Sequence, residues 1–166
     1  KASVLCEKGL FLVSEDENTP LLDLTASDAR RYAFDHGSGN SALLLAKYGS
    51  DQTGQFSVFD RHGDEKFSKD ISEAVNGVAI SSRYAAVAYD DRTEIYNLSG
   101  NMVGSIVFND TAERILIDGS SVYILSANGI SVFGTTAHVS VDAVPDEETT
   151  LSPEESSGDP TEETSA

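Results

Sequence analysis

The 166-residue sequence contains no tryptophan and a single cysteine, Cys6. One cysteine cannot form an internal disulfide or a cysteine-rich zinc site, so both are excluded within the chain. Cys6 lies in an apolar, strand-like stretch that begins at Ser3. We therefore expect Cys6 to be a small buried hydrophobic residue and not a reactive thiol.

Basic residues are also scarce. The chain has 11 Lys and Arg against 28 Asp and Glu, which gives a formal net charge of −17. Sequence-independent binding to nucleic acid requires a basic stripe, and none is visible. An anionic membrane surface would repel the chain for the same reason. Neither nucleic acid nor a membrane surface is therefore an expected partner.

Long hydrophobic runs are missing as well. No run approaches the ~18 apolar residues that a membrane span needs, and no leading stretch resembles a signal peptide. The chain starts at Lys1 without a methionine. We expect it to be the C-terminal part of a longer protein, with any targeting or anchoring segment outside this sequence.

Residues 139–166 have the composition of a disordered tail. They are rich in Pro, Ser, Thr and Glu, and they contain nine acidic residues but no Lys or Arg. Such a segment buries too little apolar surface to offset the entropy lost on ordering. We expect a flexible acidic tail after a folded part that spans residues 1–138.

Short apolar runs alternate with Gly, Asn, Asp and Ser throughout residues 1–138. Each run is about three to five residues long, which is typical of β-strands. Only Thr25–Tyr32 favours a helical turn, with Ser27 or Asp28 as its cap. Parallel βαβ units need long intervening helices, and these are missing, so the predicted fold class is all-β with antiparallel sheets.

The strand pattern repeats along the chain. Val58-Phe-Asp60 is followed 37 residues later by Ile95-Tyr-Asn97, and 37 residues after that by Val132-Phe-Gly134. Gly63 corresponds to Gly100 by the same offset. A period near 40 residues with about four strands indicates a β-propeller blade. We expect about three to four antiparallel four-stranded blades, which form part of a larger seven- or eight-bladed propeller.

The repeated elements VFDRHG (58–63) and IYNLSG (95–100) resemble the strand-turn element of quinoprotein-type (PQQ-enzyme-like) propeller repeats. The resemblance extends to a group of bacterial proteins with an N-terminal transmembrane helix and an extracytoplasmic propeller. It implies that this chain is the C-terminal portion of such a membrane-anchored protein. In those repeats a Trp after the glycine docks neighbouring blades. Here Phe67 occupies that region in one copy, and residues 103–106 occupy it in the next.

The segment around Gly63 is the strongest candidate for chemistry. Asp60, His62, Asp64 and Glu65 lie within six positions, a spacing that could hold a metal or move a proton. The equivalent positions in the next copy carry Asn97, Ser99 and Asn101, which lack the charges and the imidazole. Since only the Asp/Asn start and the glycine recur, we interpret the segment as a turn between strands. No catalytic, cofactor-binding or metal-binding residue is assigned.

Other polar features are interpreted without a site. His36 and His138 are isolated, and we expect solvated loop histidines. The segment 37–40 (GSGN) lacks the Lys-Ser/Thr of a phosphate loop and is predicted to be a tight turn. Asn97 and Asn109 begin glycosylation sequons, but Asn97 is also the turn residue of the repeat.

The leading functional prediction is a non-enzymatic scaffold or interaction module of the bacterial cell envelope. It would bind a protein, peptide or glycan through blade loops, with the remaining blades supplied by the same full-length chain and with no cofactor. Two alternatives stay open. The chain is a fragment of a propeller hydrolase or quinoprotein-like dehydrogenase with catalytic groups in the missing blades, or it is a sugar- or calcium-binding propeller.

Overall fold

The computed structural model describes residues 2–6, 9–13, 18–23, 28–46, 54–108 and 110–141. Residues 47–53, and residues 142–166 of the predicted tail, lie outside this part. The described residues form strands and turns, which confirms the all-β fold class. None of them belongs to a helix long and apolar enough to cross a membrane.

The structure describes fifteen strands in chain order. Their bounds are β1 Ala2–Cys6, β2 Gly9–Val13, β3 Asn18–Asp23, β4 Asp28–Phe34, β5 Ser41–Ala46, β6 Gly54–Phe59, β7 Glu65–Ile71, β8 Gly77–Ile80, β9 Tyr84–Ala88, β10 Arg92–Asn97, β11 Met102–Phe108, β12 Arg114–Asp118, β13 Ser121–Ser126, β14 Gly129–Gly134 and β15 His138–Val141.

Four antiparallel sheets follow one another along the chain, and we number them as blades. Blade 1 has the order β1-β2-β3 and blade 2 the order β4-β5-β6-β7. Blade 3 contains β8-β9-β10-β11, and blade 4 contains β12-β13-β14. Aligned on the repeat, the first strand of blades 2, 3 and 4 is β4, β8 and β12. We call these the inner strands, because they contact one another between blades. Blade 1 has no strand at this position among the described residues.

Strand pairing confirms the predicted repeat, because equivalent residues have equivalent partners in the neighbouring strand. Val58, Ile95 and Val132 occupy the same position on β6, β10 and β14. The two repeat glycines adopt matching left-handed conformations, with φ of +86° at Gly63 and +80° at Gly100. L-residues with a side chain rarely adopt this conformation, which explains why glycine recurs there.

The helical turn predicted over Thr25–Tyr32 is wrong for the residues that the structure describes. Asp28–Tyr32 belong to β4, which pairs antiparallel with β5 across a bulge between Ala29 and Arg31. All six residues of β5 are buried, so pairing with this core strand outweighs the local helical preference of the polar segment. Residues 25–27 lie outside the described part.

The hydrophobic core lies between blades. Blade 2 contributes Ala42, Leu44, Phe56 and Val58 to one cluster, and blade 3 contributes Val78, Ile80, Ala85, Val87 and Tyr96. The opposite face of blade 3 forms a second cluster with Ile117, Val122 and Ile124 of blade 4. On the other face of blade 2, Leu43, Leu45 and Phe59 form a third cluster against which Leu5 of blade 1 packs. Blades 2 and 3 therefore have buried residues on both faces, as expected for sheets stacked around an axis.

Phe67 takes the place that the resembling repeats give to a tryptophan. Its ring lies 5.8 Å from the ring of Phe56 in its own blade and 5.9 Å from that of Tyr96 in the next. A Cβ atom on Gly100 of the next blade would lie only 3.1 Å from Cβ of Phe67. Phe67 therefore docks blade 2 onto blade 3.

Blade 4 has one covered face and one uncovered face. Leu116 on β12, and Ile130 and Val132 on β14, point away from blade 3 and are 59%, 70% and 56% exposed. The equivalent residues of blade 3, which lie 37 positions earlier, are Ala79, Thr93 and Ile95. They are 3%, 0% and 0% exposed. The same face of the repeat is thus buried in blade 3 and open in blade 4.

Strand β15 does not complete blade 4. It pairs parallel with β11 of blade 3, with Ser105 opposite His138 and Phe108 opposite Val141. The chain approaches β11 so closely that a Cβ atom on Gly104 would lie 2.5 Å from the carbonyl oxygen of Thr135. Residues 139–141, which the sequence placed with the tail, continue the strand that begins at His138.

Cys6 is exposed, so the prediction of a buried cysteine is wrong. It is the last residue of β1 and pairs with Gly9 across the hairpin, where its Sγ lies 3.6 Å from the Gly9 carbonyl oxygen. Successive side chains of a strand point to opposite faces, and Leu5 packs against the core of blade 2, so Cys6 lies on the other, exposed side of β1.

Candidate functional site

The segment around Gly63 is a hydrogen-bonded turn. Oδ1 of Asp60 accepts hydrogen bonds from the backbone N–H groups of His62 at 2.8 Å and Asp64 at 3.2 Å. The N–H of Gly63 donates to the carbonyl of Asp60 at 3.0 Å. The Asp60 carboxylate therefore closes the loop that joins β6 to β7. The imidazole of His62 points into solvent beside Arg61.

The next blade repeats this turn with a neutral side chain. Oδ1 of Asn97 accepts from the N–H groups of Ser99 and Asn101, both at 3.0 Å, and Gly100 donates to the Asn97 carbonyl at 3.0 Å. This confirms the interpretation of both segments as turns. In the described part of the chain, no three His, Cys, Asp or Glu residues are grouped so that they could hold a metal ion.

The matched turns predict a pH dependence that Asp60 contributes and Asn97 does not. The His62 N–H hydrogen bond lowers the pKa of the Asp60 carboxyl below its ordinary value of 3.8. Because the folded-state pKa is depressed, this stabilisation is present above pH ~4 and is lost as the pH falls through the folded-state value. Asp60→Asn should keep the turn but weaken the acid-dependent loss of stability, by less than about 1 kcal/mol at this exposed site.

Urea denaturation at about pH 6 and about pH 3 measures the effect. Asn97→Asp is the matched variant and should steepen the acid-dependent loss, because it places a carboxylate in the equivalent turn. Equal pH dependence in the wild type and both variants would show that the carboxylate is not held by the turn.

The loop between β4 and β5 contains the predicted turn at 37–40 and His36. Asp35 caps the loop by accepting from the N–H groups of Gly37 and Ser38, both at 3.2 Å, and these bonds help to lower the pKa of its carboxyl against desolvation. The tight turn is confirmed. His36 is exposed in this loop as predicted. His138 is exposed but begins β15, so its placement in a loop is wrong. Asn109 lies outside the described residues.

A partly buried polar network on blade 3 was missed by sequence reasoning. The Glu94 carboxylate accepts hydrogen bonds from the hydroxyls of Tyr89 and Tyr96 and from Nε of Arg92 at 3.1 Å. Burial, reinforced by the Glu94 charge, raises the pKa of both tyrosines, so they remain protonated donors. Arg92 also forms a bidentate pair with Glu73, with N–O distances of 2.8 and 2.9 Å. The Glu94 carboxylate receives these three hydrogen bonds from groups within the protein, which favours a structural role.

A cavity of about 490 Å³ opens at the edge of the blades where the inner strands β8 and β12 begin, and we call this edge the cavity end. It is lined by residues 31–34 of β4, 76–78 at the start of β8 and 113–115 at the start of β12. Three consecutive blades therefore contribute to one concave surface. The loops at this end are those that lead into β8 and β12, and those that join β9 to β10 and β13 to β14.

Three cavity residues occupy the same position in their blades. By strand register, Arg31 of β4 corresponds to Gly77 of β8 and to Arg114 of β12. Arg31 spans the gap between blades, since its Nε donates to the carbonyl oxygen of Asn76 in blade 3 at 3.1 Å. Arg114, which is exposed, makes no hydrogen bond or ion pair with the described residues. At Gly77, a Cβ atom would lie 3.2 Å from Cγ2 of Ile115.

The charges at the cavity end are mixed. Arg31, Arg114 and Glu113 line the cavity. Around them the loops carry acidic side chains, some of which are held in place. Asp90 accepts from Nδ2 of Asn76 at 2.8 Å, and Asp110 accepts from Nδ2 of Asn128 at 3.0 Å. Hydrogen bonds to Asp110, chiefly from Ser126, lower the pKa of its carboxyl. The cavity end therefore combines concave shape with fixed polar groups, which suits ligand or partner recognition.

Solved structures with the same architecture are β-propellers. AztD from Citrobacter koseri matches over 81% of this chain and 41% of its own, at 15% identity and a TM-score of 0.56. The HIRA segment 644–1017 matches over 68% of this chain and 37% of its own, at 16% identity and a TM-score of 0.52. BamB from Moraxella catarrhalis matches over 71% and 36%, at 13% identity and a TM-score of 0.50.

These similarities establish the fold and no more, because the identities are low. The chain spans well under half the length of each of the three proteins, so it corresponds to part of a propeller. No curated protein matches the sequence. Residues 4–134, which are almost the whole described part, match the model of a family of unknown function, DUF5711, and the chain therefore belongs to that family.

Proposed function

We propose that this chain is part of a non-enzymatic propeller scaffold that binds a protein or peptide partner at its cavity end. The observation that carries the proposal is the cavity of about 490 Å³ that three consecutive blades line together. Rigid blades hold such a surface and its loops in a fixed array, and recognition then requires no reactive group. The similarity to other propeller proteins supports an interaction or scaffold role.

The opposite end of the array is less suited to recognition. Its turns at Asp60 and Asn97 are closed by their own side chains, which accept two backbone N–H groups each. The same turn recurs in two blades, which indicates that its residues are required to connect strands. Partner-specific contacts are therefore assigned to the cavity end.

The proposal includes a location and a source for the remaining blades. The resemblance of the 58–63 and 95–100 elements to repeats of membrane-anchored bacterial proteins supports an extracytoplasmic, membrane-tethered propeller. The remaining blades are proposed to come from the same full-length chain, and the length of the similar propellers supports this.

One experiment tests site and location separately. In the full-length protein with Cys6 and any further cysteine replaced by serine, a cysteine is placed at Glu113, which lines the cavity, or at His62, which is exposed at the opposite end. Intact producing cells are treated with a membrane-impermeant, thiol-reactive photo-cross-linker. We expect both cysteines to be labelled, with a discrete cross-linked protein or peptide formed from Glu113→Cys alone.

The outcomes are distinguishable. Labelling of both cysteines only after cell lysis would contradict the extracytoplasmic location and leave the site to be judged from the cross-links in the lysate. Labelling of both in intact cells, with equal cross-linking or none, would contradict a partner site at the cavity end.

A further inference from the structure

The uncovered face of blade 4 is a second surface of the molecule that requires explanation. Along β12 and β14 the side chains alternate strictly between the two faces. Ile115, Ile117 and Phe133 pack toward blade 3, whereas Leu116, Ile130 and Val132 are more than half exposed. A cluster of large apolar side chains on one sheet face is unusual at a free surface and marks a contact site.

Blade 3 shows what normally covers this face of the repeat. Its equivalent residues, Ala79, Thr93 and Ile95, are at most 3% exposed, because the apolar side of the next blade packs on them. The covering side consists of alternating aliphatic side chains on an antiparallel sheet. By the repeat, the surface that fits Leu116, Ile130 and Val132 is the corresponding side of another blade.

The inner strand gives independent support. In blade 2, Nε of Arg31 donates to the backbone oxygen of Asn76, immediately before the inner strand of the next blade. Arg114 occupies the same position of blade 4, on the same side of the strand as exposed Leu116, and has no partner among the described residues. An arginine in this position is suited to reach a backbone carbonyl of a following blade.

We propose that the face formed by Arg114, Leu116, Ile130 and Val132 is an interface with a further blade of the same full-length chain. Arg114 donates to a backbone carbonyl beside the inner strand of that blade, as Arg31 does to Asn76. The inference rests on the proposed source of the remaining blades.

The test compares one substitution in two lengths of chain. Val132→Lys places a charge at a position that is 56% exposed in the 166-residue chain, so its melting temperature should change by less than about 2 °C. In the full-length protein the same lysine would be buried between blades, and the melting temperature should fall by about 5 °C or more. Arg114→Gln should lower it in the full-length protein alone, by a smaller amount.

Met102→Lys is the matched control, because Met102 is 53% exposed on the outer strand of blade 3. Met102→Lys should leave the melting temperature of both the 166-residue chain and the full-length protein unchanged. If Val132→Lys is as harmless in the full-length protein as Met102→Lys, the interface does not exist. If Val132→Lys instead converts a dimer of the 166-residue chain to monomers in sedimentation analysis, a second copy covers the face and the proposal is wrong. Neither result depends on cross-linking at the cavity end, so the partner site is judged separately.

Discussion

Replacing Phe56 by alanine is expected to lower the free energy of unfolding by about 3–5 kcal/mol. Phe56 is fully buried, and its ring contacts Phe67 at 5.8 Å and Tyr96 at 6.4 Å between centroids. Phe56 and Phe67 belong to blade 2, and Tyr96 belongs to blade 3. The substitution removes an aromatic group that both blades use, and the main chains on either side are too constrained by strand pairing to close the cavity.

Urea denaturation followed by circular dichroism at about 25 °C measures the loss. Tyr32→Ala is a suitable control, because it removes an aromatic ring that is 60% exposed and should change stability by less than about 0.5 kcal/mol. A loss below about 1 kcal/mol for Phe56→Ala would show that blades 2 and 3 do not share a packed core.

Gly104→Val is expected to detach β15 from blade 3. The new Cβ would lie 2.5 Å from the Thr135 carbonyl oxygen and 3.1 Å from that of Ala137, both of them backbone atoms that cannot rotate away. The segment 135–137 must move, and the hydrogen bond from Ser105 N–H to the Ala137 carbonyl is then broken. We expect destabilisation of about 1–3 kcal/mol, with the largest local effect on β15.

Hydrogen exchange read out by residue distinguishes this local effect from general unfolding. Amides of Ser105 and of residues 138–141 should lose protection, whereas those of β5 and β6 should keep it. Gly134→Val is the control, because a Cβ at Gly134 meets no atom within 4 Å. Equal protection of β15 in Gly104→Val and the wild type would rule out the close approach of the two segments.

The blade repeat was predictable because local chemistry alone specifies it. An Asp or Asn that closes the turn and a glycine at positive φ recur at Asp60–Gly63 and Asn97–Gly100, and each needs only its immediate neighbours. Such features are visible in sequence because the residue type and its structural role are joined within one hairpin.

Features set by distant pairing were not predictable. Residues 28–32 have the polar composition of a helical turn, but pairing with the buried strand β5 makes them a strand. Cys6 has apolar neighbours, but it lies on the exposed side of β1, opposite to Leu5, which packs against blade 2. In both cases the decisive contact is with a strand that composition does not identify.

The cavity illustrates the same limit. Arg114 and Gly77 are one repeat apart, but Arg31 is displaced from that offset because the connections from β4 to β5 and from β5 to β6 are longer than those in blade 3. Only strand register shows that the three residues are equivalent. The parallel pairing of β15 with β11 depends likewise on the space that Gly104 leaves, and no periodic pattern reveals it.

The attachment of β15 to blade 3 has a consequence for cooperativity. In a stack of repeats, a unit that contacts its neighbour through one face only can open separately from that neighbour. Here the chain leaves blade 4, crosses to the outer edge of blade 3 and pairs there from Ser105 to Phe108. Blade 4 cannot open fully at its C-terminal side without breaking hydrogen bonds in its neighbour. The two sheets are therefore expected to unfold as one unit.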